Sequence, residues 1–139
     1  MRVHGEAEVR PTEDREKVEK AVLNVLRGEI AYQAIDEWSG RIVIEGKDLS
    51  SLERLKMIVQ RDRIRAAARS VLRRSVEDNR IIFFLNKQAA YAGHVSFSAP
   101  EGESPLGPIR IIIELEKPEE MIDWLAGRPE ERGKDRLGS

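Results

Sequence analysis

The chain has no cysteine among its 139 residues, which removes disulfide cross-links and thiolate metal ligands from consideration. No apolar run approaches the roughly 18 residues that a membrane span needs, and no basic-then-apolar leader opens the N-terminus. The expected compartment is therefore the cytoplasm. Asn and Gln are few beside the charged residues, a composition that heat-adapted organisms favour, because ion-pair networks gain value as charge desolvation becomes cheaper with temperature.

Glycine signatures are missing as well. Gly40 and Gly46 enclose five residues where a phosphate-binding P-loop needs four, and Lys47 is followed by Asp48 instead of Ser or Thr. There is no Gly-x-Gly-x-x-Gly dinucleotide fingerprint. His4 and His94 fall on separate segments, each without a second ligand at motif spacing, so no metal is expected. No serine sits in a nucleophile elbow, and Glu119-Glu120 stand at a helix start, where the dipole accounts for them. The chain reads as a non-enzyme, with no catalytic residues and no cofactor.

What is present is a globular balance of 40% apolar and 35% charged residues. At this length the chain fits one core. We expect a single domain over residues 1 to 126, with a charged, frayed tail over 127 to 139.

The opening segment alternates Val3, Gly5, Ala7 and Val9 against His4, Glu6, Glu8 and Arg10, which predicts a half-buried strand. Thr12, or Asp14 in its place, caps a helix running to about Arg27 on Val18, Ala21, Val22, Val25 and Leu26, with Gly28 as a left-handed stop. Residues 29 to 36 and 41 to 46 form a hairpin around Ser39-Gly40. After a cap at Asp48 or Ser50, amphipathic stretches follow on Leu52, Leu55, Ile58 and Val59, and on Ile64, Ala68, Val71 and Leu72. Their spacing leaves open whether they are one helix or two.

The run Ile81-Ile82-Phe83-Phe84-Leu85 predicts a strand that is central or covered on both faces. A short helical segment, a strand on Val95 and Phe97, a Gly/Pro-rich loop over 100 to 108, a strand on Ile109, Ile111, Ile113 and Leu115, and a helix begun by Pro118 complete the chain. The class is α+β: a mostly antiparallel sheet with helices on one face, in the order β-α-β-β-α-β-(short α)-β-β-α.

The net charge is only -1, but binding responds to the local field. From Arg54 to Arg74 the chain carries eight Lys and Arg residues, opposed within that window by Asp62 alone. Arg61, Arg65, Arg69 and Arg73 recur every four residues, which on a helix makes a row with steps of about 6 Å. The row is expected to face outward, opposite Ile64, Ala68, Val71 and Leu72. Such a row suits phosphate, onto which guanidinium forks, and it is equally the pattern of a solvated helix face paired with acids. Asn86, Lys87 and Gln88, at a strand end, supply either further polar contacts to RNA or simply a helix cap. Trp38, beside the hairpin turn, either stacks on an unpaired base or anchors packing.

The strings Pro11-Thr12-Glu13-Asp14 with Lys17-Val18 and Asn24, Leu85-Asn86-Lys87-Gln88-Ala89-Ala90 with Gly93 and Phe97, and Leu106-Gly107-Pro108-Ile109 resemble those of a small archaeal family described as predicted RNA-binding. The resemblance spans about residues 1 to 125. It implies a fold similar to the large-subunit ribosomal protein that binds 5S ribosomal RNA, and a link to the exosome. The expected function is non-catalytic RNA binding, with RNA as the partner. The alternative is an adaptor between proteins of an RNA-processing assembly.

Overall fold

β1 (Arg2–Val9) is the strand that the N-terminal alternation predicts, and in the computed structural model, which describes residues 1–99 and 107–127, it lies inside the sheet. It pairs antiparallel with β3 (Gly40–Gly46) on one side and β6 (Pro108–Glu114) on the other. β2 (Glu29–Ala34) extends the sheet past β3, while β5 (Arg80–Asn86) and then β4 (Val76–Glu77) extend it past β6. The order is β2-β3-β1-β6-β5-β4, and every pairing is antiparallel. The chain is thus α+β, with the open antiparallel sheet that the patterning predicts.

Because strand side chains alternate between faces, the register sends Val3, Ala7, Ile42, Ile44, Ile81, Phe83, Ile109, Ile111 and Ile113 to the helix-covered face, where all are buried. His4, Glu6, Arg41, Ile82, Phe84 and Arg110 take the opposite face and are half-buried. The apolar run in β5 is therefore covered by helices on one face only, and a single short strand lies outside it. Its Ile82 and Phe84 pair across the sheet with Ile112 and Arg110.

Among the helices, α1 (Arg15–Val25) is capped by Asp14, not Thr12, the carboxylate accepting from the Glu16 N–H at 2.9 Å. It buries Val18, Ala21, Val22 and Val25 and ends when Leu26 turns extended. Gly28 is not a left-handed stop there. Its role is close approach, since a Cβ at this position would stand 2.1 Å from the Glu45 carbonyl oxygen. Asp48 caps a 3₁₀ turn, Leu49–Leu52, that leads into α2 (Glu53–Arg61).

The two amphipathic stretches prove to be separate helices. At the end of α2 the Arg63 N–H donates to Gln60 O and the Ile64 N–H to Val59 O, with Arg63 at φ 57°. This pair of bonds is the Schellman ending, and the contact of Ile64 with Val59 completes it. α3 (Arg65–Arg74) then begins as a separate helix.

Two strand readings change. Val76–Glu77 adds a strand, joined to β5 by an Asp78-Asn79 turn with Asp78 at φ 57°. Residues 95 to 97 make no strand of their own: Phe97 forms a lone bridge to Leu85, helped by Asn86 N–H to Ser96 O and Ser98 N–H to Phe84 O. The outer edge of β5 is thus covered in two pieces. α4 (Lys87–Tyr91) packs on α1, and α5 (Pro118–Ala126), begun by its proline, packs on α2 and α3. Most of the expected loop over 100 to 108 and all of the tail beyond Gly127 lie outside the described residues.

Gly28→Ala is expected to lower stability by about 1–3 kcal/mol, the usual cost of forcing atoms into packed space. A urea titration checks it, and an unchanged midpoint would mean that the β3 backbone gives way freely.

Candidate nucleic-acid interface

The break after α2 decides what becomes of the arginines. Arg61 closes α2, whereas Arg65, Arg69 and Arg73 lie on α3, so the row spans a corner instead of one helix. Its members also differ in burial. Arg69 turns inward, only 12% exposed, where it donates to Asp123 at 2.8 Å and to the Gly127 carbonyl oxygen. This corrects the expectation that the whole row faces outward. The cause is α5, which brings the Asp123 carboxylate and the Gly127 carbonyl oxygen up to Arg69 in the seam between α3 and α5.

The remaining members keep more solvent. Arg61, 55% exposed on its side chain, donates to Asp62 at 3.0 Å and to the Gly93 carbonyl oxygen at 2.6 Å. Asp62 also meets His94 Nδ1 at 2.8 Å. Its carboxyl is held below the ordinary range, chiefly by the Arg61 hydrogen bond and then by that of His94. Arg73 stands 3.8 Å from Glu119 with both side chains more than half exposed, a pair worth little in water. Arg54, Arg63 and Arg74 are exposed beside them, and Arg65 is half-exposed at the start of α3. Of the eight cations between Arg54 and Arg74, Arg61 meets Asp62, Arg69 meets Asp123 and Arg73 approaches Glu119.

Asn86, Lys87 and Gln88 come together at the start of α4 but do different work. Asn86 is the cap, its side chain accepting from the Ala89 N–H at 2.8 Å. Lys87 is buried, 5% exposed on its side chain, with its ammonium on both Glu13 oxygens at 3.1 Å and on the Glu8 carbonyl oxygen at 2.8 Å. Burial draws its pKa below the ordinary lysine value, and the Glu13 carboxylate pulls the other way. Of the three, Gln88 alone is well exposed.

Beside this pair lies a cleft of about 400 Å³ whose lining includes Thr12, Asp14, Lys17, Gln88 and Tyr91. Two strings more than seventy positions apart in sequence therefore meet at one place. Asn24 adds a third tie, donating to Ala90 O at 2.9 Å and Tyr91 O at 3.2 Å. The sequence reading missed Tyr91, because a short Ala-Ala-Tyr segment carries no periodicity to mark its outward ring. Trp38 is no packing anchor: at the β2–β3 turn it is 74% exposed, where Asp36 accepts from the Trp38 and Ser39 N–H groups. Among the described residues no group of three or more His, Asp or Glu is placed to hold a metal, and no helix is long and apolar enough to cross a membrane.

The antiparallel sheet and the single helical layer define an α+β domain, and a family profile described as RNA binding matches residues 2–115. The chain belongs to the archaeal UPF0201 family. It is 46% identical over 136 residues to a UPF0201 protein of Aeropyrum pernix, covering 93% of this chain and 90% of the relative. A Metallosphaera sedula UPF0201 protein is 42% identical, at 88% and 85% coverage. The crystal structure of the UPF0201 protein from Methanococcus jannaschii superposes with a TM-score of 0.81 at 32% identity, over 92% of this chain and 94% of that one.

Arg69→Ala is expected to cost about 2 kcal/mol by removing a charge-assisted hydrogen bond in a half-buried seam, while Arg73→Ala stays within about 0.5 kcal/mol. Paired thermal melts distinguish a strut from a surface charge; equal effects would contradict the burial difference. Lys87→Met, which strands Glu13, is expected to cost about 3–5 kcal/mol, and adding Glu13→Leu should return part of that loss. If the double variant is the less stable of the two, the pair is not acting as a unit.

Proposed function

We propose that this chain binds RNA without catalysis, holding the phosphate backbone on the α2–α3 corner through Arg61, Arg65 and Arg73. The observation that carries the reading is the density of cations on α2 and α3, eight from Arg54 to Arg74 against Asp62 alone in the same stretch of sequence, in a domain of an RNA-binding family. Arg61 and Arg73 are engaged with carboxylates only at exposed positions, where exchanging one anion for another costs little. Arg69 holds α5 against α3 and so fixes the platform on which its neighbours stand. Asn86 and Lys87 support α4 from within, and Gln88 offers an amide to solvent. The opposite sheet face is a poorer home for a polyanion. Its arginines alternate with Glu6, Glu45 and Glu114 in cross-strand pairs: Arg110 to Glu6 at 3.2 Å, Arg2 to Glu45 at 3.1 Å, and Arg2 to Glu114 at 3.8 Å.

Each phosphate contact to a single strand adds about -0.7 to the slope of log affinity against log salt, so three outward arginines give roughly -2 and four would give roughly -3. Titrating labelled RNA at several salt concentrations measures the slope, and affinity indifferent to salt would end the proposal. Arg61→Glu and Arg73→Glu should each weaken binding alike on unrelated sequences and flatten the slope by about 0.7, since phosphate contacts carry no sequence information.

A further inference from the structure

The basic corner does not stop at α2. Arg61 reaches across to the Gly93 carbonyl oxygen at 2.6 Å, and His94, 60% exposed, reaches back to Asp62. Gly93 follows closely on α4, whose last residue is Tyr91, so the Arg61 guanidinium adjoins the end of that helix. Tyr91 is 40% exposed, an unusual state for a ring whose backbone is so firmly held. Asn24 grips its carbonyl oxygen at 3.2 Å, and the buried Lys87 anchors the first turn of the same short helix. The ammonium of Lys20 lies 5.2 Å from the ring centroid. The ring also lines the cleft of about 400 Å³ in which Thr12, Lys17 and Gln88 present a hydroxyl, an ammonium and an amide.

We infer that Tyr91 is a stacking platform for one unpaired RNA base, with Gln88 and Thr12 at the base edge and Lys17 and Lys20 beside its phosphates. This deepens the RNA-binding reading above and rests on it. A base lies flat on an aromatic ring only when it has left its own stack, so the site takes single-stranded RNA and rejects a regular duplex. The cleft is of a size that holds a small planar ligand. Charge separates this ring from the other exposed one. Trp38 follows directly on Asp36 and Glu37, where a phosphate is repelled, whereas Tyr91 has Lys20 over its ring and Lys17 in its cleft, and the carboxylates lining that cleft are engaged, Glu13 with Lys87 and Asp14 as the cap of α1. The rigid anchoring has a purpose in this reading, because a pre-set platform spends no binding energy on ordering itself.

The test compares a short labelled oligouridine with a blunt RNA duplex of equal length, each titrated with the full chain. Tyr91→Ala is expected to weaken oligouridine binding by about tenfold, leaving both the salt slope and the weaker duplex affinity unchanged, and Tyr91→Phe to restore it. Circular dichroism melts of the exposed-ring variants confirm the fold in each case. If Tyr91→Ala binds oligouridine like the parent while Arg61→Glu still weakens it, the platform is refuted and phosphate binding at the corner stands. Equal loss on duplex and single strand likewise refutes stacking. If the parent binds neither RNA, both readings fall together.

Discussion

A lysine ammonium sealed from water must have a carboxylate beside it, and the placing of the candidate site depends on that requirement being met at Lys87. Its three donors are spent on Glu13 and on the backbone of β1 at Glu8. One side chain thereby ties the end of the central strand, the approach to α1 and the start of α4. Desolvation of such a pair consumes most of its Coulomb energy, so its value is less in net stability than in geometry. Few alternative packings place both charges within reach of each other. Arg10 extends the arrangement, its N–H donating to Glu13 at 3.0 Å, so even the turn before α1 is drawn in.

Arginine carries two kinds of work in this chain, and sequence spacing does not separate them. Arg69 and Arg73 are one turn apart on the same helix, yet one braces α5 and the other looks to solvent. The difference lies in what α5 brings: Asp123 and the Gly127 carbonyl meet Arg69, while Glu119 only approaches Arg73 from 3.8 Å. A carboxylate contributed by a distant segment is invisible to a local window. Arg61 and Arg63, by contrast, stand exposed where α2 ends, Arg61 reaching the Gly93 carbonyl oxygen just past α4.

Much of the fold was legible because alternation and helical spacing report burial directly. Val3, Ala7 and Val9, then Ile109, Ile111 and Ile113, are buried as their period predicts, as is the stripe of α1. The misreadings share a cause. Helix and hairpin endings at Arg63 and Asp78 take left-handed backbone at residues other than glycine, so the usual punctuation was missing where α2 stops and β4 turns. Gly28, which looked like punctuation, answers instead to the Glu45 carbonyl across the sheet. For the candidate site, Asn86-Lys87-Gln88 was visible as a string, but its division into cap, internal clamp and exposed amide follows from which neighbours close over it.

The two-part cover on the outer side of β5 has a bearing on how the molecule behaves in a crowded cell. An uninterrupted row of free amides and carbonyls is a template on which identical chains add strand to strand. Here β4 occupies one half of that row and the backbone around Phe97 the other, each too brief to offer a continuous template in its turn. The arrangement closes that side of the sheet to strand addition and leaves β2 as its open edge, which matters for a chain whose charge is nearly balanced and which therefore has little net repulsion to keep copies apart.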